Sequence, residues 1–302
     1  MIRMDHEIQI IEHAPISTWF GIGGAADRLA RPASAAQVAA MVRTGEHVRV
    51  LGDGANLLVA DDGVDGLVLD LEPLDSVEID PATGLVRAGA GVRLPQLITE
   101  TARRGLAGLE VLAGIPASVG GAVFMNAGGR FGEIADAVRA VEVIDGQGEA
   151  RVLERAEIDF AYRRSGLAGM VVTAAVFSLR PEDPASIRER LKACMAAKKA
   201  TQPMGEDSAG CCFKNPTLAH DLDSIGPAGA RVSAGLLIDR AGGKGLREGG
   251  AEVSAVHANF LVTRPGATAS DVIRLMDRVA SRVFDAFGVR LEREVVVWER
   301  GA

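Results

Sequence analysis

Three groups of side chains in this sequence could carry chemistry. Tyr162-Arg163-Arg164-Ser165 places two arginines between Phe160 and an apolar run at Val171. A guanidinium never loses its proton and grips a carboxylate through two parallel hydrogen bonds, so this segment suits a carboxylate ligand; the alternative is a solvated turn. Ser208-Ala209-Gly210-Cys211-Cys212-Phe213-Lys214-Asn215-Pro216 sets a thiol in a tight loop ahead of Lys and Asn. Cys211 could be an acid, a nucleophile or a small buried hydrophobe. Glu294, ahead of Val295-Val296-Val297, is a lone carboxylate at a strand start, a surface charge unless it has company.

Two glycine-rich segments could hold a ligand on bare backbone. Gly52-Asp53-Gly54-Ala55-Asn56 lies between apolar runs, and Leu57-Leu58-Val59-Ala60 continues it as strand. A dinucleotide fingerprint would need a helix there, so a Rossmann site is not expected. A strand–loop–strand can still present N–H groups to phosphate; a plain hairpin turn is the alternative. Gly114-Ile115-Pro116-Ala117-Ser118-Val119-Gly120-Gly121, running on to Asn126, suggests a buried loop and then a helix whose first turn points at an anion. Lys244 sits among glycines at Gly242-Gly243-Lys244-Gly245 without the P-loop order. A metal site is not expected: neither the cysteines nor His6, His13, His47, His220 and His257 have zinc-ligand spacing.

Local patterns predict the elements that position these residues. Ser34-Ala35-Ala36-Gln37 reads as a capping box opening a helix that stops by Gly45. Strands are expected at Val48–Leu51, Leu57–Ala60, Leu67–Leu71, Val77–Ile79 and Leu85–Ala88, with a helix from Pro95 to Gly105. Val138–Ile144, Asp145-Gly146 and Ala150–Leu153 form a hairpin signal, and Val171–Leu179 another strand. Pro184 opens a helix. The last helix is expected to be capped by Ser270, to bury Ile273, Met276, Val279, Val283 and Phe287, and to end at Gly288 before a strand at Val295–Trp298. Strands and helices mix without strict alternation, so the class is α+β.

Composition narrows the partners. The chain has 302 residues and a net charge of −7, which argues against a nucleic-acid partner. No apolar run reaches the roughly 18–20 residues of a membrane span, and Met1–Glu7 shows no secretory leader. Three cysteines make no disulfide framework, which points to a reducing cytoplasm. Glycine, at 36 residues, is well above its usual 7% or so. Nothing in the mixed surface calls for a dimer, so a monomer is expected.

In order along the chain, these segments resemble one family, the flavin-dependent UDP-N-acetylenolpyruvoylglucosamine reductases. The resemblance runs from Phe20-Gly21-Ile22-Gly23-Gly24 through Gly52–Asn56, Gly114–Asn126 and Tyr162–Ser165. It continues through Thr201-Gln202-Pro203, Ser208–Pro216, Lys244-Gly245, Val253–Phe260 and Glu294-Val295. It implies a two-part FAD-binding region of the vanillyl-alcohol-oxidase type (1–72; 73–200, with 288–302 returning to it) and an α+β substrate domain at 201–287. It assigns FAD to Gly52, Gly54, Ala55, Asn56, Leu57, Gly114, Ile115, Pro116, Ser118, Val119, Gly120, Gly121 and Asn126. NADPH is the implied reductant and UDP-N-acetylglucosamine enolpyruvate the small-molecule substrate.

Arg163 and Glu294 match the family's arginine and glutamate beside the substrate carboxylate. The site's Lys199, Gln202, Lys214, Asn215, Lys244 and His257 match substrate-holding positions, with Lys198 equally placed beside Lys199. Cys211 stands where the family often has serine, as proton donor. A thiol, with an ordinary pKa of about 8.5, is a stronger acid than a hydroxyl, so turnover is expected to fall on the alkaline side. The only tyrosine, Tyr162, is already beside Arg163, which makes this the short form without the tyrosine-bearing insertion. An FAD-linked oxidase of the same architecture would have no need for Arg163, Cys211 and Glu294 together. A non-catalytic sugar-nucleotide binder would show no flavin colour.

Overall fold

The computed structural model describes residues 8–301; the opening heptapeptide read for a leader lies outside them. The chain forms two compact units. The first comprises residues up to 14, 26–53 and 65–197, and the second 15–25, 54–64 and 198–302.

The first unit holds two larger sheets beside two short two-stranded pairings. One runs in the order Ile10–Pro15, Ala25–Ala30, Val64–Asp70, Val48–Leu51, the last pair parallel with Val48 opposite Leu67. The other is antiparallel, in the order Ala150–Glu154, Val138–Ile144, Val171–Ser178, Leu85–Gly89, Val77–Asp80. Helices α1 (Ala35–Val42), α2 (Leu94–Arg103) and α3 (Val119–Phe124) belong here. Ser34 caps α1 by accepting the Gln37 N–H, as its spacing predicts. Leu67, Leu69 and Val38 pack with Ala90, Ile144 and Val171 in one apolar cluster. The hairpin loop is longer than Asp145-Gly146 suggests. Asp145 Oδ1 accepts the N–H groups of Gln147 and Glu149, and the left-handed residue is Gly148, at φ 78°.

Helix α4 (Pro184–Thr201) leads into the second unit, where α5 (Ala234–Arg240) and α6 (Ala269–Phe287) pack with an antiparallel sheet of Arg247–Glu248, Ala251–Val253 and Leu261–Thr263. Thr268, not Ser270, caps α6, in a capping box with Asp271, and Gly288 ends it at φ 67°. The inward face is Val272, Leu275, Met276, Val279 and Val283; Ile273 and Phe287 are only partly buried. Ser270 is engaged instead by Asp61, whose carboxylate also accepts the Ala269 and Ser270 N–H groups at 2.6 and 3.0 Å.

Val296–Trp298 runs parallel to Leu57–Val59, and both lie in the second unit. Leu57, Leu58 and Val59 are all buried, and a distant segment supplies their partner strand. No helix among the described residues is long and apolar enough to cross a membrane.

Candidate active site

In the first unit the two glycine segments meet. A Cβ built on Gly52 would lie 2.4 Å from Ser118 Oγ and 3.5 Å from Ser118 Cβ, with the Gly121 nitrogen at 4.0 Å. Gly120 is pressed onto Ala90, where a Cβ would come within 2.8 Å. Only bare backbone fits this approach. Ser118 caps α3 by accepting the Gly121 N–H. The Val119 and Gly120 N–H groups donate to Val92 and Ala90 carbonyls at 2.8 and 2.9 Å. The first turn of α3 is therefore spent internally, contrary to the anion-facing helix end that its spacing suggests. Among the described residues, no hydrogen bond engages the Gly52, Gly54 or Ala55 amides, which leaves those donors for an anion.

Arg163 sits at the tip of a tight turn in the same unit. Ala161 and Arg164 exchange backbone hydrogen bonds at 2.8 and 3.0 Å, and Arg163 takes a left-handed φ of 57°. Its guanidinium carbon lies 5.1 Å from the Tyr162 ring centre. Asn126, expected on the cofactor, turns its side chain inward: it is fully buried and bonds the Ala161 carbonyl and the Ala135 N–H.

The second unit brings the thiol loop to Glu294. Cys211 pairs as an isolated bridge with Phe260, and Phe213 with Arg293, so residues 211–213 run as an extended segment between two others. Asn259 holds it through both backbone and side chain: its carbonyl accepts the Cys212 N–H, and its amide bonds both the N–H and C=O of Phe213. Glu294 donates its N–H to the Cys212 carbonyl at 2.7 Å. Asn56, in the same unit, donates its amide to the Glu294 carbonyl at 3.0 Å. The neighbouring thiols are separated by environment. Cys212 is fully buried, and burial pushes its thiol up to about 12, whereas Cys211 is half-buried. An inert thiol beside an accessible one leaves Cys211 as the only candidate of the two for proton transfer.

The comparisons with known proteins decide the family. Residues 26–154 match the FAD binding domain family, and 202–298 match the UDP-N-acetylenolpyruvoylglucosamine reductase C-terminal domain. The chain is 42% identical to the UDP-N-acetylenolpyruvoylglucosamine reductase of Moorella thermoacetica, over 98% of this chain and 95% of that one. It is 41% identical to reductase 2 of Symbiobacterium thermophilum, over 99% and 94%. The crystal structure of the Thermus caldophilus reductase aligns with a TM-score of 0.80 at 39% identity, covering 97% of this chain and 99% of that one. The chain belongs to the UDP-N-acetylenolpyruvoylglucosamine reductase family.

Within this reductase family frame, the substrate-side residues fall into two groups. Some are built into the second unit's scaffold. Asn215 Oδ1 accepts the Ala234 N–H at the start of α5, and Lys214 pairs with Glu292. Others are oriented outward from it. Lys244 is exposed and pairs with Asp239 at 2.9 Å; Lys199 lies exposed in the last turn of α4, with Gln202 just beyond. His257 is half-buried, with its Cε1 3.0 Å from where a Gly235 Cβ would stand. Its Nδ1 accepts the Asn259 N–H, so the remaining proton sits on Nε2. Burial, and then the Lys244 charge, hold the imidazole below its ordinary range. Leu57 opens the buried strand Leu57–Val59, and Gly114 takes a left-handed φ of 76° ahead of Ile115 and Pro116. No group of three metal-ligating side chains occurs among the described residues. Ser165 is the residue that sequence reasoning passed over: fully tucked in, it donates to the Phe124 carbonyl at 2.7 Å, and adjacency to Arg163 was its only signal.

Proposed function

We propose that Arg163, Cys211 and Glu294 carry out the substrate half of a flavin-dependent reduction. The chain reduces UDP-N-acetylglucosamine enolpyruvate to UDP-N-acetylmuramate in peptidoglycan precursor synthesis, with FAD and NADPH as its cofactors. The observation that supports the residue roles best is the backbone register that sets Glu294 against Cys212, next to Cys211.

When bound, FAD would supply hydride transfer from NADPH to the methylene carbon of the enolpyruvyl ether. The residues of the Gly52–Leu57 and Gly114–Gly121 loops fit that cofactor: bare Cα atoms allow close approach, and the Gly52, Gly54 and Ala55 amides supply donors for its diphosphate. Hydride addition drives negative charge into the substrate carboxylate. Arg163 opposes that charge with one that cannot be titrated away, and an interaction present mainly in the transition state raises the rate. Cys211 Sγ gives a proton to the carbon next to the carboxylate. Glu294 hydrogen-bonds the developing enediolate, which requires its carboxyl to hold a proton. Lys199, Gln202, Lys214, Asn215, Lys244 and His257 hold the diphosphate and sugar. The same reading makes the enzyme a cytoplasmic monomer.

One anaerobic experiment tests the assignment. The flavin is reduced with one equivalent of NADPH, and UDP-N-acetylglucosamine enolpyruvate is then added. Return of the oxidised flavin band without oxygen is the expected result, and slow return in Arg163→Ala and Cys211→Ala supports the two roles. A band that stays bleached in the wild type would refute the substrate.

A further inference from the structure

We propose that Asn126 and Ser165 are positioning residues that bolt the Arg163 turn to the end of α3. The proposal rests on the reading of Arg163 as the cation for the substrate carboxylate. Asn126 is fully buried at a left-handed φ of 46°. Its Nδ2 donates to the Ala161 carbonyl at 3.0 Å, and its Oδ1 accepts the Ala135 N–H at 3.3 Å. With a backbone acceptor on one side and a backbone donor on the other, only an amide satisfies both. A carboxylate of the same shape would set oxygen against oxygen.

The Ala161 carbonyl is also the one that closes the two-residue turn, through the Arg164 N–H. On the other flank the Ser165 hydroxyl, in a residue only 2% exposed, donates to the carbonyl of Phe124, the last residue of α3. Arg163 is thus pinned from both sides in a conformation that a non-glycine residue keeps only where its surroundings over-determine it. The same six-residue helix is capped by Ser118, which meets Gly52. One rigid element therefore spaces the arginine turn from the glycine loop.

Displacing a charge-stabilising group by about 1 Å costs on the order of 100-fold in rate. The test is single-turnover stopped flow on the FAD-loaded enzyme, following each half-reaction separately. Ser165→Ala removes one hydroxyl, and Asn126→Asp removes the donor while keeping the shape. Each is expected to slow flavin reoxidation by UDP-N-acetylglucosamine enolpyruvate roughly 10- to 100-fold. Ser165→Ala should leave flavin reduction by NADPH at its original rate. In an Arg163→Ala background neither substitution should slow reoxidation further, because the group they position is gone.

Additive slowing in that background, or equal slowing of both half-reactions in Ser165→Ala, would overturn the proposal. So would original reoxidation rates in Ser165→Ala and Asn126→Asp beside slow reoxidation in Arg163→Ala, an outcome that leaves the Arg163 reading standing. Original reoxidation in Arg163→Ala would sink that reading and the proposal with it. If Asn126→Asp fails to fold, Ser165→Ala alone decides.

Discussion

Glu294 donates its backbone N–H to the carbonyl of Cys212 at 2.7 Å, and Asn56 donates its side-chain amide to the carbonyl of Glu294 at 3.0 Å. Both peptide groups flanking the Glu294 Cα are thus held, which fixes the direction in which its side chain leaves the backbone.

The two adjacent thiols should react differently. In the folded protein, a thiol reagent at pH 8 is expected to modify Cys211 well before Cys212 and Cys194, both of which are buried. Peptide mass spectrometry after timed quenching gives the order. Cys212→Ala should lower stability by about 1 kcal/mol as a small core cavity, and Cys211→Ala should slow the chemistry instead. Prior modification of Cys212 would contradict the assignment.

Arg163 carries backbone strain that glycine would relieve. Arg163→Gly is expected to be more stable than Arg163→Ala by about 1 kcal/mol, since alanine keeps the left-handed penalty at φ 57°. Urea unfolding of both variants measures this, and both should reoxidise slowly. Equal stability would mean the turn relaxes when the guanidinium is removed.

Gly52 leaves no room for a side chain. Gly52→Ala puts a methyl 2.4 Å from Ser118 Oγ, so the serine must move and α3 loses its cap. We expect FAD retention to drop at least tenfold, read from the ratio of flavin to protein absorbance after gel filtration. Gly45→Ala is the control. Its Cβ would meet nothing within 4 Å, and at φ 74° it should cost only backbone strain while keeping the flavin.

His257 predicts a loss of stability in mild acid. Burial, and then Lys244, hold its folded-state pKa below the unfolded value of about 6.5, so the unfolded chain binds the proton first. The sign follows: stability is intact above that value and declines as pH falls below it towards the folded pKa. Melting curves between pH 7 and 5 should therefore fall less steeply for His257→Gln. Lys244→Met should move the imidazole NMR titration upward.

Asp61 works in the opposite direction. Burial pulls its carboxyl up, but the Ser270 hydroxyl and the Ser270 and Ala269 N–H groups outweigh that and hold it below the ordinary range. Its contribution is present above the unfolded pKa, near 3.9, and is lost as pH falls through the folded value. Asp61→Asn should cost about 1 kcal/mol at neutral pH, as for a lost helix cap. The variant's stability should also vary less below pH 4 than the wild type's.

Much of this protein was legible without coordinates because the relevant forces are local. Ser34 caps its helix and Gly288 stops the last one because a side chain or a left-handed residue acts within a turn or so of itself. Val138–Ile144 forms a strand as its apolar run predicts, and the order of motifs from Phe20 to Val295 was enough to indicate the family. Local reading also had limits: Thr268 and Ser270 are both good caps two residues apart, and Asp61, far away in sequence, takes up the second.

Tertiary structure alone decided the questions that depend on distant partners. Nothing in Cys211-Cys212 says which thiol is buried; the Phe260 and Glu294 segments on either side do. Nothing in Asn126 says that its amide serves Ala161 rather than a cofactor. Nothing in Leu57–Val59 says that the chain's last strand is its partner. Periodicity and capping report which face a residue presents, and the sequence determined that much. Which group waits on that face is set by chain closure over tens to hundreds of residues, and only the folded structure supplies it.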